Sequence, residues 1–231
     1  MLLFILQLFP WVGVYPGGVP VVTQSAWGAA FGSESPPDAD MKEMFAIVPD
    51  ANVKTANSAA TQPLEIAEPK GNLLLVFYLL PFMLLTLIVS IAVAVLPFVH
   101  VQLPPAVANL LPWKWCILAL LNAILLLFLV FQLLLNFGIE SSVKEAAQVK
   151  ADNIVRRKSP VDARDKAAAL NTPDQKTFEA LKGVFTDYLG RTIWLKLALV
   201  LHILATAAAA TVYWMEKRGV DHMQLEWGAR W

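Results

Sequence analysis

Few residues in the apolar runs of this chain can do chemistry. His202 is the clearest, near the middle of "WLKLALVLHILATAAAATVYW", Trp194 to Trp214. An imidazole in such a run can ligate a metal, pass a proton or hydrogen-bond a neighbouring helix. The other histidines are His100 and His222. Two-histidine ligation of a haem is disfavoured by depth. His202 falls about 15 Å into its run, and His100 about 40 Å along another that starts on the same side. The single cysteine, Cys116, excludes an intrachain disulfide and a cysteine-type zinc site. It reads as a small apolar residue. No Asp or Glu lies inside the long apolar runs, which disfavours ion-coupled transport. No phosphate-binding loop, nucleophile elbow or histidine-glutamate metal motif occurs. The expectation is a protein that is not an enzyme.

The surroundings of His202 favour hydrogen bonding. Ala205, Thr206, Ala209 and Ala210 follow it, forming small-residue pairs four apart, the spacing that lets helices approach closely. Asn122, Gln132 and Asn136, on another run, are the candidate partners and complete the expected helix-packing set. The competing reading makes His202 a cofactor-binding residue. In "ALVLH", Ala198 precedes it by four residues, and a small residue one turn away leaves room for a macrocycle over the ring. This resembles the bacteriochlorophyll-binding pattern of light-harvesting polypeptides. The resemblance implies bacteriochlorophyll, or haem, at His202. Without it, no cofactor is expected.

These residues need long helices to carry them. Of 231 residues, 57% are hydrophobic and 16% charged, against about a quarter charged in soluble domains. The 18 basic and 18 acidic residues cancel, so no basic face invites nucleic acid. A helix needs about 20 apolar residues to cross a bilayer. Residues 71–99, 112–138 and 191–215 meet this, with tryptophans and tyrosines near their ends. Pro81 should distort the first of them. Residues 1–15 are short for a span, at about 21 Å for the apolar run. They are read as a first span, against a short span in thinned lipid or a cleaved signal that lacks a basic start. The expected fold is an all-α membrane protein: a four-transmembrane-helix bundle with a short hairpin-containing loop and a helical extramembrane extension.

The loop is residues 16–70. Pro16-Gly17-Gly18 between Val- and Thr-rich flanks predicts a short β-hairpin. Prolines 36, 37, 49, 63 and 69 predict irregular chain beyond it, with at most a helical turn near Met41 to Phe45. Residues 139–190 predict a helical hairpin. Its first arm continues the preceding span, and its second starts at Thr172, Pro173 and Gln175 with Phe178, Leu181, Phe185 and Tyr188 on one face. Residues 216–231 form a tail. Basic residues do not decide the orientation. "MEKRG" at the end of the last span and the acidic first loop favour both termini in the cytoplasm.

"LFPWVGV", Gly17-Gly18 and "VVTQSAWGAAFG" together resemble the first-span junction of bacterial four-span inner-membrane proteins of the paraquat-inducible protein A type. The resemblance implies the architecture and the inner membrane, and carries over no functional residue. That family's cysteine clusters are missing here. The expectation is a membrane accessory or scaffolding subunit, with the lipid bilayer and other membrane subunits as partners. The alternatives are a pigment- or haem-binding subunit and a lipid-handling or transport component. Labelling of introduced cysteines, after Cys116 is replaced, tests the layout. Ser58→Cys and Ser159→Cys should react from one and the same side, and opposite reactivity would mean a wrong number of crossings between them.

Overall fold

The computed structural model describes residues 1–35, 45–48, 64–98, 104–158, 179–180, 182–184 and 186–218. It is mostly helical, with two small sheets. Three helices are long and apolar enough to cross a membrane. Two of them extend as expected: α3, Leu73–Val95, and α7, Ile193–Lys217. The other is α5, Lys114–Leu134, entered through a short turn after α4, Pro105–Ala108.

The fourth expected span is not there. Helix α1 covers only Leu2–Leu6, and the chain is already a strand at β1, Pro10–Val14. Pro10 has no N–H to extend a helix. After it, "WVGV" is bonded on both edges instead. β2, Val22–Ser25, pairs antiparallel on one side and β5, Leu189–Arg191, on the other. So residues 1–15 are not one membrane helix, and the described residues hold three helices long enough to cross a membrane in place of the four expected. Met1 lies beside Met83, Asn122 and Ala205, partway along the long helices.

The hairpin expected at the glycine pair is present, with a 3₁₀ turn at Pro16–Gly18 between its strands. Gly18 takes a φ of +84°, which an L side chain disfavours. From β2 the chain runs directly into α2, Ala26–Phe31, capped by the Ser25 hydroxyl on the Gly28 N–H at 3.0 Å. The segment expected to be irregular contains a second, parallel pair, β3 Phe45–Val48 and β4 Leu64–Ala67. Of the helical turn expected near Met41 to Phe45, residues 41–44 lie outside the described residues, and Phe45 opens β3.

Helix α6, Gly138–Lys158, does not simply continue α5. Leu135 is extended, with ψ of 155°, so the helix breaks and restarts. Gly138 is needed there: a Cβ would sit 2.5 Å from the Lys70 carbonyl oxygen. Val143, Ala146, Ala147 and Ala151 of α6 are fully buried, and the helix packs on β4. Of the second arm, Thr172, Pro173, Gln175, Phe178, Leu181 and Phe185 lie outside the described residues. Tyr188 is described, and its carbonyl accepts from the Tyr15 N–H at 2.7 Å.

Sheet, helices and break meet at one side chain. Arg191 donates through Nε and Nη2 to the Glu140 carboxylate at 2.8 and 3.1 Å, and through Nη1 to the Leu133 carbonyl at 3.0 Å. Glu140 in turn accepts from the Phe137 N–H at 2.9 Å. The carboxylate holds the Arg191 guanidinium above its ordinary pKa, against the opposing effect of burial. Arg191→Lys keeps the charge but cannot hold two carboxylate oxygens and a carbonyl together. We expect it to lower stability by about 1–2 kcal/mol, seen as a drop of several degrees in a thermal melt in nanodiscs. Unchanged melting would show that the fork is dispensable.

Candidate functional site

Tyr78 and His202 of the long helices, with Gln7 at the end of α1, form a fully buried polar group. Each reaches the centre for a local reason. Pro81 removes one helical donor in α3, and the helix answers with a π-helical stretch, Tyr78–Met83. Tyr78 opens that stretch. On α7, the buried positions Leu195, Ala198, His202 and Ala209 make one stripe at helical spacing. On α5 the facing stripe is Leu118, Leu121, Asn122, Leu125, Leu129 and Gln132. Gln7 follows α1 and donates to the Leu3 carbonyl at 2.6 Å.

The Tyr78 hydroxyl and His202 Nε2 are 2.9 Å apart. Trp11 packs edge-on against Tyr78 and Phe137, with centroids 6.1 and 6.5 Å away, and its indole N–H donates to the Leu6 carbonyl at 3.1 Å. The Gln7 amide borders the Tyr78 hydroxyl. Two atoms of this group have no hydrogen-bond partner: His202 Nδ1 and Gln7 Oε1. A neutral imidazole has one donor and one acceptor nitrogen. The tautomer sets which member of the pair donates: Nε2–H on the hydroxyl leaves the Tyr78 proton to another acceptor, and Tyr78 O–H on Nε2 leaves Nδ1 as an N–H.

The expected partners of His202 are elsewhere. Asn122 is 6% exposed and donates to the Leu118 carbonyl of its own helix at 2.9 Å. Gln132 is fully buried, accepts from Asn72 at 2.8 Å and reaches the Asn136 carbonyl at 3.4 Å. Asn136 is exposed, and its side-chain oxygen accepts from Lys144. Asn72 also caps α3 through the Leu74 N–H at 2.9 Å. Gln132 and Asn72 therefore close helix ends. Of the small residues, Ala209 is buried, Ala205 and Thr206 are half-buried, and Ala210 is exposed. The Thr206 hydroxyl donates to the His202 carbonyl at 2.8 Å, so it serves its own helix. Helices α5 and α7 pack extensively on each other, and of the small set Ala209 is the member that packing buries fully while Ala210 stays exposed.

Sequence reading missed Tyr78 and Gln7. A tyrosine six residues into a span and a glutamine before a Pro-Trp pair were the available signals. His100 and His222 lie outside the described residues. Among the described residues, no three His, Cys, Asp or Glu side chains group to hold a metal. For a macrocycle metal, the nitrogen facing the helix interface is Nε2, which Tyr78 already engages. Ala198, the residue that would leave room for the ring, is fully buried against its neighbours. Comparison with protein-family models, with curated proteins and with solved structures returned no match. The "LFPWVGV" stretch that carried the family resemblance is mostly strand β1 and not a span end.

A double-mutant cycle tests the pair. Tyr78→Phe and His202→Leu should each cost on the order of 1 kcal/mol, and the double variant should cost less than their sum. Additive losses in thermal melts would mean that the two groups do not interact. The same wild-type preparation should show no visible absorption. A colour that His202→Gln bleaches would make the histidine a ligand.

Proposed function

We propose that this is a non-enzymatic, multi-pass membrane protein that serves as an accessory or scaffolding subunit of a bacterial cytoplasmic-membrane complex. The supporting observation is how its buried polar groups are used. Arg191, Glu140, Gln132 and Asn72 fasten an extramembrane platform of α6 and two small sheets to the ends of three apolar helices. Gln24 of β2 adds a bond to the Ile139 N–H at 3.2 Å. Thr192 ties the entry of α7 to the Pro10 and Trp11 carbonyls. A platform held this firmly suits the positioning of another protein.

The outward face of α6 carries Ser141, Lys144, Glu145 and Gln148, polar and exposed. The outer faces of the long helices expose large apolar side chains such as Phe77, Ile88 and Leu127. In this reading the latter meet lipid or other membrane subunits, and α6 meets a partner's soluble part. The basic end of α7, with Lys217 and Arg218, belongs in the cytoplasm, and the platform outside. At that end Trp115 donates to Glu216 at 2.9 Å, and Arg218 stacks 4.0 Å over Trp214, an anchoring belt for the interface.

The lipid-handling alternative has one observation in its favour, a groove between the long helices beside α1. Native mass spectrometry of the protein extracted from its own membrane tests the main reading. A second protein in fixed stoichiometry is expected, lost when Lys144 and Gln148 of α6 are both replaced by Glu. A single chain with no partner at any extraction strength would sink the proposal.

A further inference from the structure

A different groove, of ≈ 380 Å³, lies at the rim of the apolar helices, between the chain entering α3 and the start of α6. Lys70 and Leu73 stand on one wall, and Ser141, Ser142 and Glu145 on the other. Close-packed backbone fixes both walls. A Cβ at Gly71 would meet the Ala30 carbonyl oxygen at 2.7 Å, as one at Gly138 would meet that of Lys70.

The donors left over in this groove suit an anion. Of the first N–H groups of α3, that of Leu74 is taken by the Asn72 side chain and that of Val76 by the Asn72 carbonyl. The Leu73 N–H remains, at the positive end of a 23-residue helix. Ser142 supplies an independent observation. It is only 7% exposed, and among the described residues its hydroxyl makes no hydrogen bond. Unlike the orphaned atoms of the helix core, that hydroxyl is not sealed off, and its residue lines the groove. A phosphate oxygen accepts from both kinds of donor.

A carboxylate sets the other end of the ligand. Glu145 follows Ser142 by three residues on the same face, about 4.5 Å along the helix. It is exposed and has no ion pair among the described residues. Lys70 on the facing wall balances its charge, so the groove suits a zwitterion better than a net anion. The cation must carry N–H groups: a quaternary ammonium is held by aromatic faces, and among the described residues no aromatic side chain lines this groove. Depth gives the source. Helix α3 begins at Leu73 and α5 ends at Leu134, so the groove lies at head-group level if both span the bilayer, the one element of the membrane reading used here.

We propose that this groove binds the head group of a zwitterionic aminophospholipid, of the phosphatidylethanolamine type. Phosphate oxygens accept from the Ser142 hydroxyl and the Leu73 N–H, and the ammonium donates to the Glu145 carboxylate. The acyl chains then follow the exposed apolar face of α3 past Leu73 and Phe77. No partner protein is needed, so failure here and failure of the scaffolding reading are separate results.

The test is native mass spectrometry of the whole chain, stripped of lipid in detergent and titrated with phosphatidylethanolamine, phosphatidylcholine and phosphatidylglycerol of matched acyl chains. One phosphatidylethanolamine should be retained, roughly fivefold or more tightly than either other lipid, the worth of about one charge-assisted hydrogen bond. Glu145→Gln should bring phosphatidylethanolamine down to the level of phosphatidylcholine. Ser142→Ala should weaken both lipids alike, and both variants should melt like wild type. Equal retention of the three lipids by wild-type protein, or a preference for phosphatidylglycerol, would overturn the proposal without reference to any variant. So would a preference that survives both substitutions, which places the lipid elsewhere. Glycerophosphoethanolamine, the same head group without acyl chains, should bind far more weakly. Binding as tight as the lipid's would mean a soluble ligand and sink the assignment to a membrane lipid.

Discussion

The constraint on which this structure depends is the closing of backbone ends at the rim of the apolar helices. A broken helix leaves carbonyls at one end and N–H groups at the other, and little water reaches them at a membrane boundary. Between α5 and α6 the break falls at the end of the apolar run of α5. Arg191 answers both sides of it, taking the Leu133 carbonyl directly and the Phe137 N–H through Glu140. Because Arg191 ends β5, the same side chain fixes the sheet over the break. β5 fixes β1, and β1 fixes where α7 begins, through Thr192. A guanidinium suits this junction because its donors are rigid and diverge, whereas an ammonium is a single point.

Much of this was legible in the sequence, at the scale where length and apolarity decide. Runs above about 20 residues became α3, α5 and α7. The glycine pair placed the hairpin. Two kinds of feature were not legible. One is pairing at long range: "LGR" is too short to carry a strand signal, and β5 exists because β1 offers it an edge. The other is competition between two local readings. "LLFILQLFPWVGV" has the composition of a span, but Pro10 stops a helix, and the short apolar run after it joins a sheet as a strand buried along its length. The break at Leu135 precedes Asn136, Phe137 and Gly138, none a strong helix former, and close packing of Gly138 on the Lys70 backbone accompanies the restart.

The site shows the same division. That His202 lies inside the helix group was readable from its apolar setting and the small residues after it. Its partner was not. Asn122 and Gln132 had the right chemistry and similar burial, yet their amides bond within α5 or close the ends of α3 and α5. The hydroxyl that does reach His202 comes from the first residue of a π-helical stretch. An i→i+5 turn rotates the residues after it away from ideal helical phase, so a period-3.6 count along α3 misassigns its faces around Pro81.

On the long helices two buried side-chain atoms have no hydrogen-bond partner among the described residues, His202 Nδ1 and Asn122 Oδ1. The imidazole is fully buried, its other nitrogen is engaged by Tyr78, and Trp11 packs edge-on against that tyrosine. A neutral ring has one donor and one acceptor nitrogen, so a single partner always leaves one nitrogen over. The Asn122 amide has spent a donor on the Leu118 carbonyl, and its oxygen is closed off from solvent-sized space. Each orphan is thus the remainder of a side chain that has already used its better-placed group, the histidine between helices and the asparagine within its own. Burial of the orphaned atom itself, not the polarity of the residue, decides that both complete the packing of the helices.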